Sequence, residues 1–141
     1  MDNRIIIDGK DAILGRVCTY AAKQALLGQN VQVINCEEMV VSGKKNPIIE
    51  NYTRRIDRKA PNKGPFLYRR PDFFVRRTIR GMLPWKRYRG REAYKLVKCH
   101  IGVPETLKSE KAVHVKDISA SKLKIDHVKV KEICRSIGSK V

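Results

Sequence analysis

The stretch from Pro71 to Met82 carries the side chains best arranged to bind something. At about 100° per residue of a helix, Phe74, Val75, Thr78, Ile79 and Met82 fall on one side. Arg76, Arg77 and Arg80 fall on the other, with Phe73 among them. A guanidinium grips phosphate with two parallel hydrogen bonds and stacks on flat rings. Phe73 offers a ring for a ribose or a base. A face that merely meets water mixes charge signs, and this one holds no acid. The pattern therefore reads as an RNA contact.

Two neighbouring stretches repeat the chemistry. Trp85-Lys86-Arg87-Tyr88-Arg89-Gly90-Arg91 interleaves aromatics with four cations, the combination that single-stranded or looped RNA requires. Lys59 to Pro65, with Lys63 at its centre, leads through Tyr68-Arg69-Arg70 on a backbone stiffened by proline. Upstream, Arg54 and Arg58 stand four residues apart beside Asn51, although Glu50 is equally placed to pair with Arg54. Phosphate neutralisation is thus assigned to Arg54, Arg58, Lys63, Arg69, Arg70, Arg76, Arg77, Arg80, Lys86, Arg87, Arg89 and Arg91, and stacking to Tyr68, Phe73, Trp85 and Tyr88. Whether Trp85 stacks on a base or packs into the core stays open. Reading DNA base edges calls for a helix presenting Asn, Gln and Arg, and these stretches are poor in the amides.

Other chemistries fare worse. Gly9 and Gly15 lie six apart with apolar residues between, which is neither a dinucleotide fingerprint nor a phosphate loop. Asp8 and Asp11 follow a strand, where α/β sites form, but read as a turn and helix-start pair. Glu37 and Glu38 are adjacent and do not converge. Cys18, Cys36, Cys99 and Cys134 are scattered, with no Cys-x-x-Cys pair, and His100, His114 and His127 add no ligand spacing. The expectation is no enzyme, no metal, no cofactor, no small-molecule substrate, and four reduced, mostly buried thiols.

Charge singles out the same region. The 141 residues carry 31 Lys or Arg against 14 acids, a net of +17. Residues 44–98 hold 18 of those cations and four of the acids, a net of +14, leaving +3 for the remaining 86 residues. Such self-repulsion calls for an anionic partner. No apolar run approaches the roughly 18 residues of a membrane span, and the charges at Arg4 and Asp8 interrupt any secretory core. The reading is a cytoplasmic chain, one domain over 1–141, with a basic RNA-binding segment at about 44–98.

The elements that position these residues alternate. A strand at Arg4–Asp8, a helix over 13–27 and a strand at 31–36 make a βαβ unit, so the two strands should run parallel. Helices follow at about 45–58 and 71–82, then a short one around 91–94. A strand at 96–101, a further strand at 112–115 and a last helix at 128–137 complete the pattern. This predicts an α/β fold.

Taken together, Ile7-Asp8-Gly9, Leu14-Gly15-Arg16, Val41-Ser42-Gly43 and above all Arg77-Thr78-Ile79-Arg80-Gly81-Met82-Leu83-Pro84, followed by Gly90 and Val97 to Pro104, are similar to one known pattern. The chain resembles the large-subunit ribosomal protein thirteen family in its archaeal form, over nearly its whole length. Residues 105–130 give little to match, and the basic helical extension of eukaryotic members is not found after Val141. The resemblance implies a three-layer α/β/α fold with a four-stranded, mainly parallel sheet. It also implies binding to large-subunit ribosomal RNA early in assembly, neighbouring large-subunit proteins as partners, and no catalysis.

Overall fold

Isoleucines at three consecutive positions favour extended backbone, and Arg4–Asp8 forms the first strand, β1, of the computed structural model. The structure describes residues 3–113, Val115 and 117–141. Helix α1 (Leu14–Leu26) crosses back to β2 (Asn30–Ile34), which lies parallel to β1 with Ile5 opposite Val31 and Ile7 opposite Val33. After β3 (Val40–Ser42) come three helices: α2 (Lys45–Asp57), α3 (Pro71–Met82) and α4 (Tyr88–Lys95). The last leads into β4 (Val97–Cys99), parallel to β2 on the side away from β1. Strand β5 (His127–Lys129) and helix α5 (Val130–Ser136) follow a long irregular stretch.

The main sheet thus has the order β1-β2-β4. The fourth strand expected at 112–115 is present as one parallel bridge, Val113 beside Ile7, its N–H donating to Ile6 O at 2.7 Å; His114 lies outside the described residues. The structure adds an antiparallel pair that the sequence did not suggest. β3 and β5 pair Val40 with Lys129 and Ser42 with His127.

The two sheet faces are covered unequally. Ile7, Val31, Val33 and Val97 meet Val17, Cys18, Ala21 and Ala25 of α1 and Phe74, Val75 and Ile79 of α3, all buried in one core. Alternate residues Ile6 and Ile34 point the other way, and Leu107 with Ala112 covers them. Leu107 belongs to a single 3-10 turn, Glu105–Leu107, so the third layer is a thin turn and loop. Two isoleucines and a short hydrogen-bonded pair, His100 Nε2 to Gln32 Oε1 at 2.7 Å, need no full helix over them.

Asp8 accepts from Lys10 N and from Asn35 Nδ2, each at 2.9 Å, and so closes a turn. The helix-start part of the expectation fails. The N-cap of α1 is Ile13, whose apolar side chain has no acceptor and caps nothing; its N–H donates to Ile118 O at 2.8 Å. Glu37 and Glu38 part company as expected: Glu37 accepts from Gly102 N, while Glu38 takes Lys129 at 2.5 Å and Lys131 at 2.7 Å. Hydrogen bonds from these two ammonium groups hold the Glu38 carboxyl down at about 2. This pair ties β5 and α5 to the turn after β2.

A carboxyl whose acidity is raised by folding stabilises the fold above its unfolded value, near 4.5, and loses that effect as pH falls through about 2. Glu38→Gln should therefore melt below the wild type at pH 7, with the gap closing as pH drops from about 4.5 to about 2. A gap that stays constant across that range in thermal melts would show that Glu38 does not act as a charge.

Candidate nucleic-acid interface

Helix α3 spans the bounds its sequence announces. Pro71 sits at the first turn, where its missing N–H costs nothing, and Asp72 complements the positive helix end. Leu83 turns extended, with φ −99° and ψ 149°, as a residue before proline must. Phe74, Val75 and Ile79 are buried against α1, whose Cys18 thiol donates to Val75 O at 3.9 Å. Met82, expected on the apolar side, is exposed, because the helix ends there and passes beyond the core.

The three arginines divide. Arg77 is exposed. Arg76 reaches the edge strand, its Nε donating to Val97 O at 3.1 Å, with its guanidinium 4.4 Å from the centroid of Tyr94. Arg80 lies 4.1 Å from the ring of Trp85, and Trp85 meets Tyr94 edge to face at 5.2 Å. Arg76, Tyr94, Trp85 and Arg80 thus form a continuous stack joining α3, the turn after it and α4. Trp85 is a half-buried ring packed edge to face on Tyr94 and covered by Arg80. Arg76 and Arg80 are held in place by contacts within the chain and carry their charge at a fixed position.

A second stack stands at the start of α3. Tyr68 and Phe73 lie 5.7 Å apart at 30°. Arg70 covers Phe73 at 5.1 Å and pairs with Asp72 at 3.0 Å. Both rings stay exposed. Lys86, Arg87, Tyr88, Arg89 and Arg91 are exposed around the first turn of α4. Gly90 alone is buried there, because a Cβ on it would lie 2.2 Å from Pro84 O. That close approach seats α4 on the turn and fans its cations outward. Arg69 and Lys63 are exposed on the loop between α2 and α3.

On α2, Arg54 pairs with Glu50 at 3.0 Å, both side chains largely in water. Arg58, one residue past the helix, stays exposed. Of the sixteen residues assigned from sequence, those of α3 and α4 lie on helices packed beside β4, those of the loop lead into α3, and Arg54 lies back on α2. Phe66 was missed. It is 75% exposed within the cationic loop, and no periodicity distinguishes such a phenylalanine from a core one.

Features that would suggest catalysis are differently engaged. Cys18, Cys36 and Cys134 are buried and unpaired. Burial raises Cys18, hydrogen bonding to Cys99 followed by burial raises Cys36, and burial pushes Cys134 up to about 12. Thiols so protonated are poor nucleophiles. Among the described residues no group of His, Cys, Asp and Glu is placed to hold a metal, and no helix is long and apolar enough to cross a membrane.

A family model described as ribosomal protein L13 matches residues 2–106. The chain belongs to the ribosomal protein L13 family. The protein named Large ribosomal subunit protein uL13 in Methanopyrus kandleri is 50% identical over 99 residues, 70% of this chain and 62% of that protein. Its namesake in Archaeoglobus fulgidus is 38% identical over 139 residues, covering 97% and 89%. That of Methanosarcina barkeri is 36% identical over 141 residues, covering 96% and 98%. The family match ends at 106, where the sequence resemblance also thins out, and it contains both aromatic stacks and α4.

The geometry separates two kinds of arginine on one helix. Arg76→Ala removes a charged donor to a strand carbonyl and should cost about 1.5–3 kcal/mol of folding stability. Arg77→Ala should stay within about 0.5 kcal/mol of the wild type. Urea denaturation of both variants checks this, and equal midpoints would contradict the division.

Proposed function

We propose that this chain is a structural constituent of the large ribosomal subunit in the cytoplasm. It binds large-subunit ribosomal RNA, supports early subunit assembly and catalyses no reaction. The observation that carries the reading is the cationic edge built by α3, α4 and the loop before them. Arg77, Lys86, Arg87, Arg89 and Arg91 project there beyond a stack that already fixes Arg76 and Arg80. Membership of the L13 family and the names of its archaeal relatives support the same role.

The mechanism is binding. Exposed cations neutralise phosphates and release condensed counterions. Contacts of this kind set position and carry little sequence information, so specificity comes mainly from RNA shape. Tyr68, Phe73 and Tyr88 supply stacking, Trp85 and Arg80 the scaffold behind it. The chain acts as one domain over 1–141 with 44–98 as its RNA-binding segment. Surfaces outside that segment are left for neighbouring large-subunit proteins.

Sedimentation of a lysate through a high-salt gradient should recover the protein in the large-subunit fraction at one copy per particle. Recovery only as free protein would overturn the reading. In purified form, replacing Arg77, Arg89 and Arg91 together with Ala should weaken binding to large-subunit RNA. It should also flatten the dependence of log K on log salt by about 0.7–0.9 for each phosphate no longer neutralised. Unchanged affinity and slope would remove α3 and α4 from the interface.

A further inference from the structure

We propose that the loop between α2 and α3 holds a pocket for one unpaired nucleobase, with Phe66 as its stacking platform. This rests on the RNA-binding reading above and names what that RNA must present. Phe66 is the most exposed large apolar side chain among the described residues, at 75%. Its ring borders a half-open cavity of about 320 Å³ lined by Ile56, Lys59, Pro65, Phe66, Leu67 and Arg69. The size is at the lower end of the roughly 300–1,000 Å³ of small-ligand sites, which suits a single planar group. Four of the lining side chains are apolar, and the other two are cations.

The turn leading into the platform is set before any ligand arrives. Ala60 and Gly64 exchange backbone hydrogen bonds at 3.0 and 3.2 Å, and Lys63 N adds a third to Ala60 O. Gly64 leaves room for the ring: a Cβ there would come within 3.1 Å of it. A loop whose backbone is already set loses little freedom on binding. Charge identifies the occupant. From Arg58 to Arg70 the chain has five cations and no acid, so an apolar group entering here must belong to a polyanion. A paired base would first have to unpair and unstack, at a cost of a few kcal/mol, whereas bases of loops and bulges splay out onto aromatic rings without it. The flanking phosphates then meet Lys59 and Arg69.

The test measures binding of the full chain to large-subunit ribosomal RNA, with Phe66 varied. Phe66→Ala should weaken binding by about 5- to 150-fold, the usual effect of removing one base–aromatic stack. The salt slope should not change, since every phosphate stays neutralised. Phe66→Trp should restore the affinity, and Phe66→Leu, apolar but without a π-face, should not. Ultraviolet cross-linking of the wild-type complex should attach the peptide holding Phe66 to a nucleotide unpaired in the RNA. Wild-type binding with full affinity in Phe66→Ala, or cross-links to paired nucleotides alone, overturns the pocket, leaves the ribosomal role intact and assigns the ring to a protein neighbour. A wild type that binds no RNA defeats both readings.

Discussion

The packing of α3 on α1 is the constraint on which the rest depends. The chain gathers a net +14 within residues 44–98, at a cost in self-repulsion, and must hold those cations in place. It does so by driving Phe74, Val75 and Ile79 into the core, each burial contributing about 1.5–3 kcal/mol. The small residues Ala21, Ala22 and Ala25 on α1 share that core and let the bulky helix approach. With the apolar stripe fixed, the arginines of the opposite stripe have no freedom to retreat. The helix is anchored by its hydrophobic side, and its charged side is aimed as a consequence.

Cations then serve in two ways. Arg76 and Arg80 are committed to the stack with Tyr94 and Trp85, which welds α3 to β4 and α4. Arg77, Lys86, Arg87, Arg89 and Arg91 stand beyond it in water. Gly90 pressed on Pro84 sets the distance between the two groups. A stacked guanidinium keeps its charge, since arginine does not deprotonate in proteins. The inner pair therefore adds to the field of the outer group without the mobility of free side chains.

Much of this was legible in the sequence. Helix α3 has the bounds that Pro71, the helical period and Pro84 imply, and the βαβ start runs parallel as the order of elements requires. What escaped depended on contacts distant in the chain. A helical projection separates Arg76 from Phe74 but is silent on the strand carbonyl and ring lying beyond it. β3 and β5 have three residues each, too few to show a period, and pair across a long stretch. The thin cover of the second sheet face rests on Leu107 and Ala112, and two isolated apolar residues in a polar stretch announce nothing. Phe66 is ordinary by residue type and unusual only by where its loop leaves it.

Lysine acylation read by mass spectrometry, on the free chain and on the chain bound to large-subunit ribosomal RNA, tests the central claim most directly. If the loop–α3–α4 edge is the RNA-binding surface, Lys59, Lys63 and Lys86 lose reactivity on binding, while Lys10, Lys108 and Lys111, exposed on other parts of the fold, react as before. Protection of the second group with the first still reactive would contradict the account and place the RNA on another face.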